Sequence, residues 1–226
     1  MVFIRTDANA KAATGHLMRC LSIAKQLEAL GERVTFIFRD QESEELLANR
    51  CRYQMLAGGS GLSVAGEVSQ IVDILKGAGA GAKLLLDSYD FDAGYMARLK
   101  PYAFLITFDD LFAEKFPADL IINYNLYFKK YDYKIRYAGS GSKLLLGSRY
   151  VPLREEFLEQ SPRRHGQVNK ILLICGGGDR YHILPELTQR MCARKEGRQF
   201  QLLVVAGSLS EDIERLRQYE KQFPQV

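Results

Sequence analysis

Thr14-Gly15-His16-Leu17-Met18-Arg19-Cys20 stands between two short apolar runs, Val2 to Arg5 and Val34 to Phe38, and its reading decides the fold. From Leu17 onward, Met18, Leu21, Ala24, Leu27 and Leu30 recur at helical spacing until Gly31 offers a C-terminal cap. A strand, an amphipathic helix and a second strand in this order form a β-α-β unit, the building block of a parallel sheet. The alternation continues. Ser43 to Asn49 reads as a short helix with Ser43 as its N-cap, Tyr53 to Leu56 as a strand, and Val68, Ile71, Val72 and Leu75 as the buried stripe of another helix. Lys83 to Asp87 is a strand that ends in a carboxylate. Tyr95 to Leu99 is helical as far as Pro101, and Phe104 to Phe108 and Leu120 to Asn123 are further strands. The expected class is α/β, with a parallel sheet covered on both faces.

The texture changes after Asn123. Lys129 to Ser142 is polar and tyrosine-rich, Leu144 to Gly147 is a short strand, and Leu153 to Gln160 reads as a helix that stops before Pro162. Ser161 to Gln167 has linker composition. A second alternating unit follows: strand Lys170 to Cys175, the glycine loop Gly176-Gly177-Gly178, helix Pro185 to Lys195, strand Gln201 to Ala206 and helix Ser210 to Phe223. We therefore expect a Rossmann-like domain over 1–160 and an incomplete second Rossmann-like domain over 161–226. So small a unit buries little apolar area against the entropy of ordering it.

Composition narrows the function classes. The 226 residues are 47% hydrophobic and carry 31 basic against 27 acidic side chains, with no Lys/Arg block of the kind that grips nucleic acid. No apolar run approaches the ~18 residues of a membrane span, and the N-terminus lacks a secretory pattern. A cytoplasmic protein without nucleic-acid or membrane partners is expected. The four cysteines, Cys20, Cys51, Cys175 and Cys192, are scattered singly, so no metal site and no cofactor is called for.

Open parallel sheets bind ligands outside the carboxyl ends of their strands. Those ends hold Asp7, Asp87-Ser88-Tyr89, Asp109-Asp110, Asn123 and Gly176 to Asp179, and the loop from Asp7 delivers Gly15 and His16 to the same rim. A helix N-terminus presents unpaired N–H groups and a positive dipole end, which suits an anion, and Gly15 lets a ligand approach the backbone. The same positive end disfavours imidazolium, which suits His16 to the work of a general base. The competing reading is that His16 only caps or packs beside the helix. Likewise Asp87 could serve its own turn, Tyr89 could be half-buried packing, Asp109-Asp110 could be a solvated loop or a helix cap, and the glycine run could exist for tight packing. Arg5 and Arg19 are expected to pair with Asp7 or other local carboxylates. Arg154 either reaches the site or faces solvent, and His165 and His182 read as linker and surface residues.

Taken in order, Arg5-Thr6-Asp7, Thr14 to Leu21, Asp87-Ser88-Tyr89, Asp109-Asp110, Gly147-Ser148-Arg149-Tyr150-Val151-Pro152-Leu153-Arg154-Glu155-Glu156-Phe157 and Gly176-Gly177-Gly178-Asp179 resemble the landmarks of a known family. It is that of the UDP-sugar hydrolases of pseudaminic-acid biosynthesis, which release UDP from a 2,4-diacetamido-2,4,6-trideoxy-altrose nucleotide. Spore-coat polysaccharide proteins and, more distantly, MurG-type glycosyltransferases are related to them. The resemblance covers nearly the whole chain and is most specific at Thr-Gly-His-x-Met-Arg-Cys. It implies a glycosyltransferase-B-like architecture with an active site between two domains, and it makes His16 the expected catalytic residue with water in place of a sugar acceptor. Tyr89 is a second expected catalytic residue. Gly15, Asp87, Asp109, Asn123 and Arg154 are expected to bind the substrate, and Gly176, Gly177 and Gly178 its phosphates, with no metal.

The chain also departs from that pattern. The family's proline after the aspartate of the glycine loop is Arg180 here, and the glycine-rich segment that relatives carry beyond the position of Val226 has no counterpart. The expectation is a water-activating half whose nucleotide-holding half is incomplete. A glycosyltransferase-like enzyme and a non-catalytic subunit, which self-associates or joins a partner chain, stand beside the hydrolase as alternatives.

Overall fold

The structure is a computed structural model that describes residues 1–7, 15–47, 50–157, 166–197, 199–207 and 210–226. His165 and the loop residues 8–14 fall outside the described residues. The chain divides into two compact units, a larger one that ends at Leu158 and a smaller one over Glu159–Val226.

The larger unit is a seven-stranded sheet in the order β3-β2-β1-β4-β5-β6-β7. Its strands are β1 (Val2–Thr6), β2 (Val34–Phe38), β3 (Tyr53–Met55), β4 (Lys83–Asp87), β5 (Phe104–Phe108), β6 (Leu120–Asn123) and β7 (Lys143–Leu146). Every neighbouring pair runs parallel. Among the helices are α1 (Gly15–Ala29), α2 (Gln41–Leu47), α3 (Val64–Ala78), α4 (Ala93–Leu99) and the short α5 (Tyr133–Arg136). This is an α/β, Rossmann-like sheet.

Side chains alternate across a strand, so the central strands feed two cores. Phe3, Ile37, Leu84, Leu86 and Ile121 pack with Ile71 and Leu75 of α3 and with Tyr95 and Met96 of α4. Val2, Ile4, Phe36, Phe38 and Leu85 pack on the other face with Leu17, Cys20, Leu21 and Ala24 of α1. Each such side chain, wholly withdrawn from water, contributes ~1.5–3 kcal/mol before the entropy of ordering is set against it. Their need for cover on both faces explains why these strands are mostly apolar.

Two local expectations are corrected. Asp40, not Ser43, caps α2: its Oδ1 accepts the Ser43 N–H at 2.7 Å and its Oδ2 the Ser43 hydroxyl at 2.8 Å. The expected helix over Leu153 to Gln160 is, among its described residues, only a 3-10 turn at Glu155–Phe157. Leu153 and Phe157 stay exposed. Without an apolar face to bury, so short a segment gains too little to hold an α-helix.

In the smaller unit β8 (Lys170–Ile174) pairs in parallel with β9 (Gln201–Val205), alongside α6 (Ile183–Ala193) and α7 (Ile213–Gln222). Leu173 of β8 packs with Leu184 of α6 and with Leu216 and Tyr219 of α7. The alternate strand residues point the other way and remain open: Leu172, Ile174, Leu203 and Val205 are 57%, 57%, 60% and 40% exposed. Among the described residues no helix is long and apolar enough to cross a membrane.

Candidate functional site

The chain runs from β1 outward through β2 and β3, then returns past β1 to β4 and continues to β7. The order reverses between β1 and β4, and at such a switch point the two flanking connections part and leave a crevice. Thr6 at the end of β1 is paired in register with Asp87 at the end of β4, and the Thr6 hydroxyl donates to the Asp87 carbonyl oxygen at 2.9 Å. His16 lies on the first turn of α1, the helix that follows β1.

Across this switch point His16 meets Asp87, with Nδ1 2.7 Å from Oδ1. Arg19, one turn further along α1, grips the same carboxylate with a fork: Nε donates to Oδ2 at 2.6 Å and Nη2 to Oδ1 at 2.5 Å. The Cys20 thiol donates to Oδ2 at 3.2 Å. Residues 16, 19 and 20 share one helix face, so the spacing on α1 brings all three to one acceptor. A carboxylate can only accept, so the proton of the close His16–Asp87 contact sits on Nδ1, which in the neutral imidazole leaves the lone pair on Nε2. Burial pushes the Asp87 carboxyl up, but the hydrogen bonds from Arg19 and His16 and the charge of Arg19 outweigh it and hold it below the ordinary aspartate value.

Tyr89 meets the imidazole edge-on, with ring centroids 4.7 Å apart and an interplanar angle of 84°. It is 65% exposed. Burial of part of its ring and the charge of Asp110 push its phenol above the ordinary tyrosine value, so at neutral pH it donates hydrogen bonds rather than accepting a proton. Beside it lies a cavity of about 110 Å³ whose lining includes Ser88, Tyr89, the carboxylate residues Asp92, Asp109, Asp110 and Glu114, and several apolar side chains. Arg19 closes the far side of the cluster: its Nη1 donates to Asp110 Oδ2 at 2.8 Å and to the Tyr124 hydroxyl at 2.9 Å, and its guanidinium lies 4.1 Å from the Phe108 ring centroid.

The structure thus brings His16, Tyr89 and Asp87 together, and gives Asp87 a different job from substrate contact. Its oxygens are taken by His16, Arg19 and Cys20, and it is 2% exposed. Asp109 and Asn123 are likewise turned inward. Asp109 accepts from the Phe112 N–H at 2.8 Å, and the Asn123 amide donates to Tyr133 at 2.7 Å. The Tyr133 hydroxyl also donates to the Asp109 carbonyl oxygen at 2.7 Å, so both residues tie the tyrosine-rich segment after β6 to the sheet. Gly15 is the exposed first residue of α1, and a Cβ placed there would meet nothing within 4 Å.

Arg154 does not join the cluster. It lines a separate cleft of about 370 Å³ with Met18, Leu21, Ser22, Lys25 and Arg50. Those α1 residues lie on the opposite side of the helix from His16.

The glycine turn after β8 also differs from expectation. Gly207 packs directly on the carbonyl oxygens of Gly176 and Gly177, with no room for a Cβ. Asp179 already fills the anion position at the start of α6, accepting the N–H groups of Ile183 at 2.9 Å and Leu184 at 2.8 Å. A phosphate at the start of α6 would have to displace that carboxylate, while Gly176 has a φ of 69° and open space where a Cβ would stand.

His182, read from the sequence as a surface residue, is half-exposed but paired: its Nδ1 lies 2.6 Å from Asp212 Oδ2. Among the described residues no group of three or more His, Cys, Asp or Glu side chains could hold a metal ion.

No protein-family model matches the sequence, and no curated protein matches it.

Proposed function

We propose that this chain acts as a nucleotide-sugar hydrolase, with His16 as the base that activates water against the anomeric carbon of a UDP-linked 2,4-diacetamido-2,4,6-trideoxy-hexose. The observation that carries the reading is the contact between His16 Nδ1 and Asp87, which leaves Nε2 as a lone pair at the carboxyl rim of the sheet. Hydrolysis of such a substrate chiefly needs an oriented water and a departing UDP, and the protein part of the first need is met by an imidazole held by a carboxylate, the pairing used in hydrolytic triads. Tyr89, exposed and protonated, is the donor beside it for a sugar hydroxyl or acetamido oxygen. The glycosyltransferase-B-like description, in which the smaller unit holds the nucleotide, belongs to this same proposal, as does a cytoplasmic role in surface-polysaccharide or nonulosonic-acid synthesis.

The test is UDP release from the diacetamido sugar nucleotide by the full chain. His16→Phe is expected to abolish it, and unchanged turnover in that variant removes His16 from the mechanism. Product that forms only when a sugar acceptor is added speaks instead for a glycosyltransferase.

One observation favours a second reading, in which the chain works as a subunit. Leu172, Ile174, Leu203 and Val205 form an open apolar face on a two-stranded parallel sheet, where sheets of this class are covered on both sides. Sedimentation of a folded, concentration-independent monomer counts against it.

A further inference from the structure

The carboxylate that faces His16 is itself unable to turn. Arg19 Nε holds Oδ2 and Nη2 holds Oδ1, the planar fork that guanidinium makes with a carboxylate and that an ammonium cannot make. The fork is tethered in turn by Asp110, the Tyr124 hydroxyl and the Phe108 ring. Arg19 Nη2 also lies 3.1 Å from His16 Nδ1. This last contact matters because Arg19 is donor-only: were Asp87 free to rotate away, Nη2 would offer Nδ1 a proton to accept, and the imidazole would carry its own proton on Nε2 instead. With Oδ1 pinned 2.7 Å from Nδ1, that tautomer sets two lone pairs against each other.

We infer that Arg19 is a positioning residue which, by clamping Asp87 in place, decides which nitrogen of His16 carries the proton and so leaves Nε2 open at the rim. It acts through Asp87 and needs no contact with a ligand. The kinetic part of the test rests on the hydrolase reading; the spectroscopic part does not.

The experiment uses the full chain with 15N-labelled histidine. In the wild type, His16 is expected to show one dominant neutral form, with a protonated Nδ1 and a bare Nε2. Arg19→Lys keeps the charge but loses the fork, and Arg19→Ala loses both; each is expected to convert His16 to a mixture of tautomers. Guanidinium at a sub-denaturing concentration restores the single form in Arg19→Ala, while the same concentration of ammonium or sodium does not.

Where UDP release is measurable, kcat falls about 100-fold in Arg19→Lys with KM little changed, as expected when a base presents the wrong nitrogen. A folded Arg19→Ala or Arg19→Lys chain whose His16 keeps its wild-type tautomer overturns the inference, even if the chain proves to be a UDP-sugar hydrolase. Should Arg19→Ala fail to fold by circular dichroism, the lysine variant carries the test alone. Loss of the tautomer without any hydrolase activity sustains the inference and sinks the hydrolase reading instead.

Discussion

Glu67, on the first turn of α3, lies 2.8 Å from the guanidinium of Arg5 on β1, with both side chains shut away from water. Arg5 also bonds Asp7 at 2.6 Å, and Glu67 accepts the Tyr95 hydroxyl at 2.8 Å. Removing Glu67 leaves the buried Arg5 Nε and the Tyr95 hydroxyl without their acceptor. Glu67→Ala is therefore expected to destabilise the chain by ~3–5 kcal/mol, read from the urea midpoint. A loss below ~1 kcal/mol, the range of surface pairs, contradicts this account of the network.

Acid should act through Asp7 and Asp87. For both, burial pushes the carboxyl up and the neighbouring arginine more than reverses it, so in the folded chain they ionise below the ordinary value of 3.8. Their stabilisation is fully present above that value and is lost as pH falls through the lower folded values. Asp40 and Asp109, raised mainly by burial, pull the other way above 3.8. Urea midpoints followed into acid should fall less steeply in Asp87→Asn than in the wild type; parallel curves would falsify the assignment to Asp87.

The reading of the sequence reached as far as local patterns reach. Val34 to Phe38 and Phe104 to Phe108 were legible as strands because a strand covered on both faces reads as a short, mostly apolar and β-branched run. His16 was legible because an imidazole behind a glycine at a helix start is unusual chemistry. Its partner was legible only as a carboxylate at a strand end, since the contact joins residues 71 positions apart and depends on β4 lying beside β1. Arg5 was expected beside Asp7, but Glu67 was not foreseen, because nothing along the chain marks one buried carboxylate on α3. Ser43 was misread as a cap because Asp40 offers a stronger acceptor one turn earlier. Leu153 and Phe157 had helical spacing, yet no surface lay waiting to cover them.

Two glycines should answer in opposite directions. A Cβ on Gly207 would collide with the carbonyl oxygens of Gly176 and Gly177, which are backbone and cannot swing aside. Gly207→Ala is expected to cost ~1–3 kcal/mol. Gly77, inside α3 with nothing within 4 Å of its would-be Cβ, should gain ~0.5–1 kcal/mol on replacement by Ala. Thermal melts of both variants check the pair, and a shift of the same sign in each contradicts the packing described for the glycine turn.

His182 should titrate late. The hydrogen bond to Asp212, then the charge of that carboxylate, raises it above its ordinary 6.5. Any stability this pair adds is complete below 6.5 and fades as pH rises through the raised folded value. An NMR titration should place the His182 midpoint above 6.5 and return it toward that value in Asp212→Asn. A midpoint that does not respond to the substitution breaks the link between the two residues.

The thiol of Cys20 gives the site a built-in reporter. Complete burial and the facing Asp87 carboxylate hold it protonated far above the ordinary cysteine value, so alkylating reagents meet an unreactive group while the site is closed. Cys192 is buried in the smaller unit. The two labelling rates would time separately how often each unit exposes its interior, and the Cys20 rate would mark each moment at which the grip on Asp87 is released.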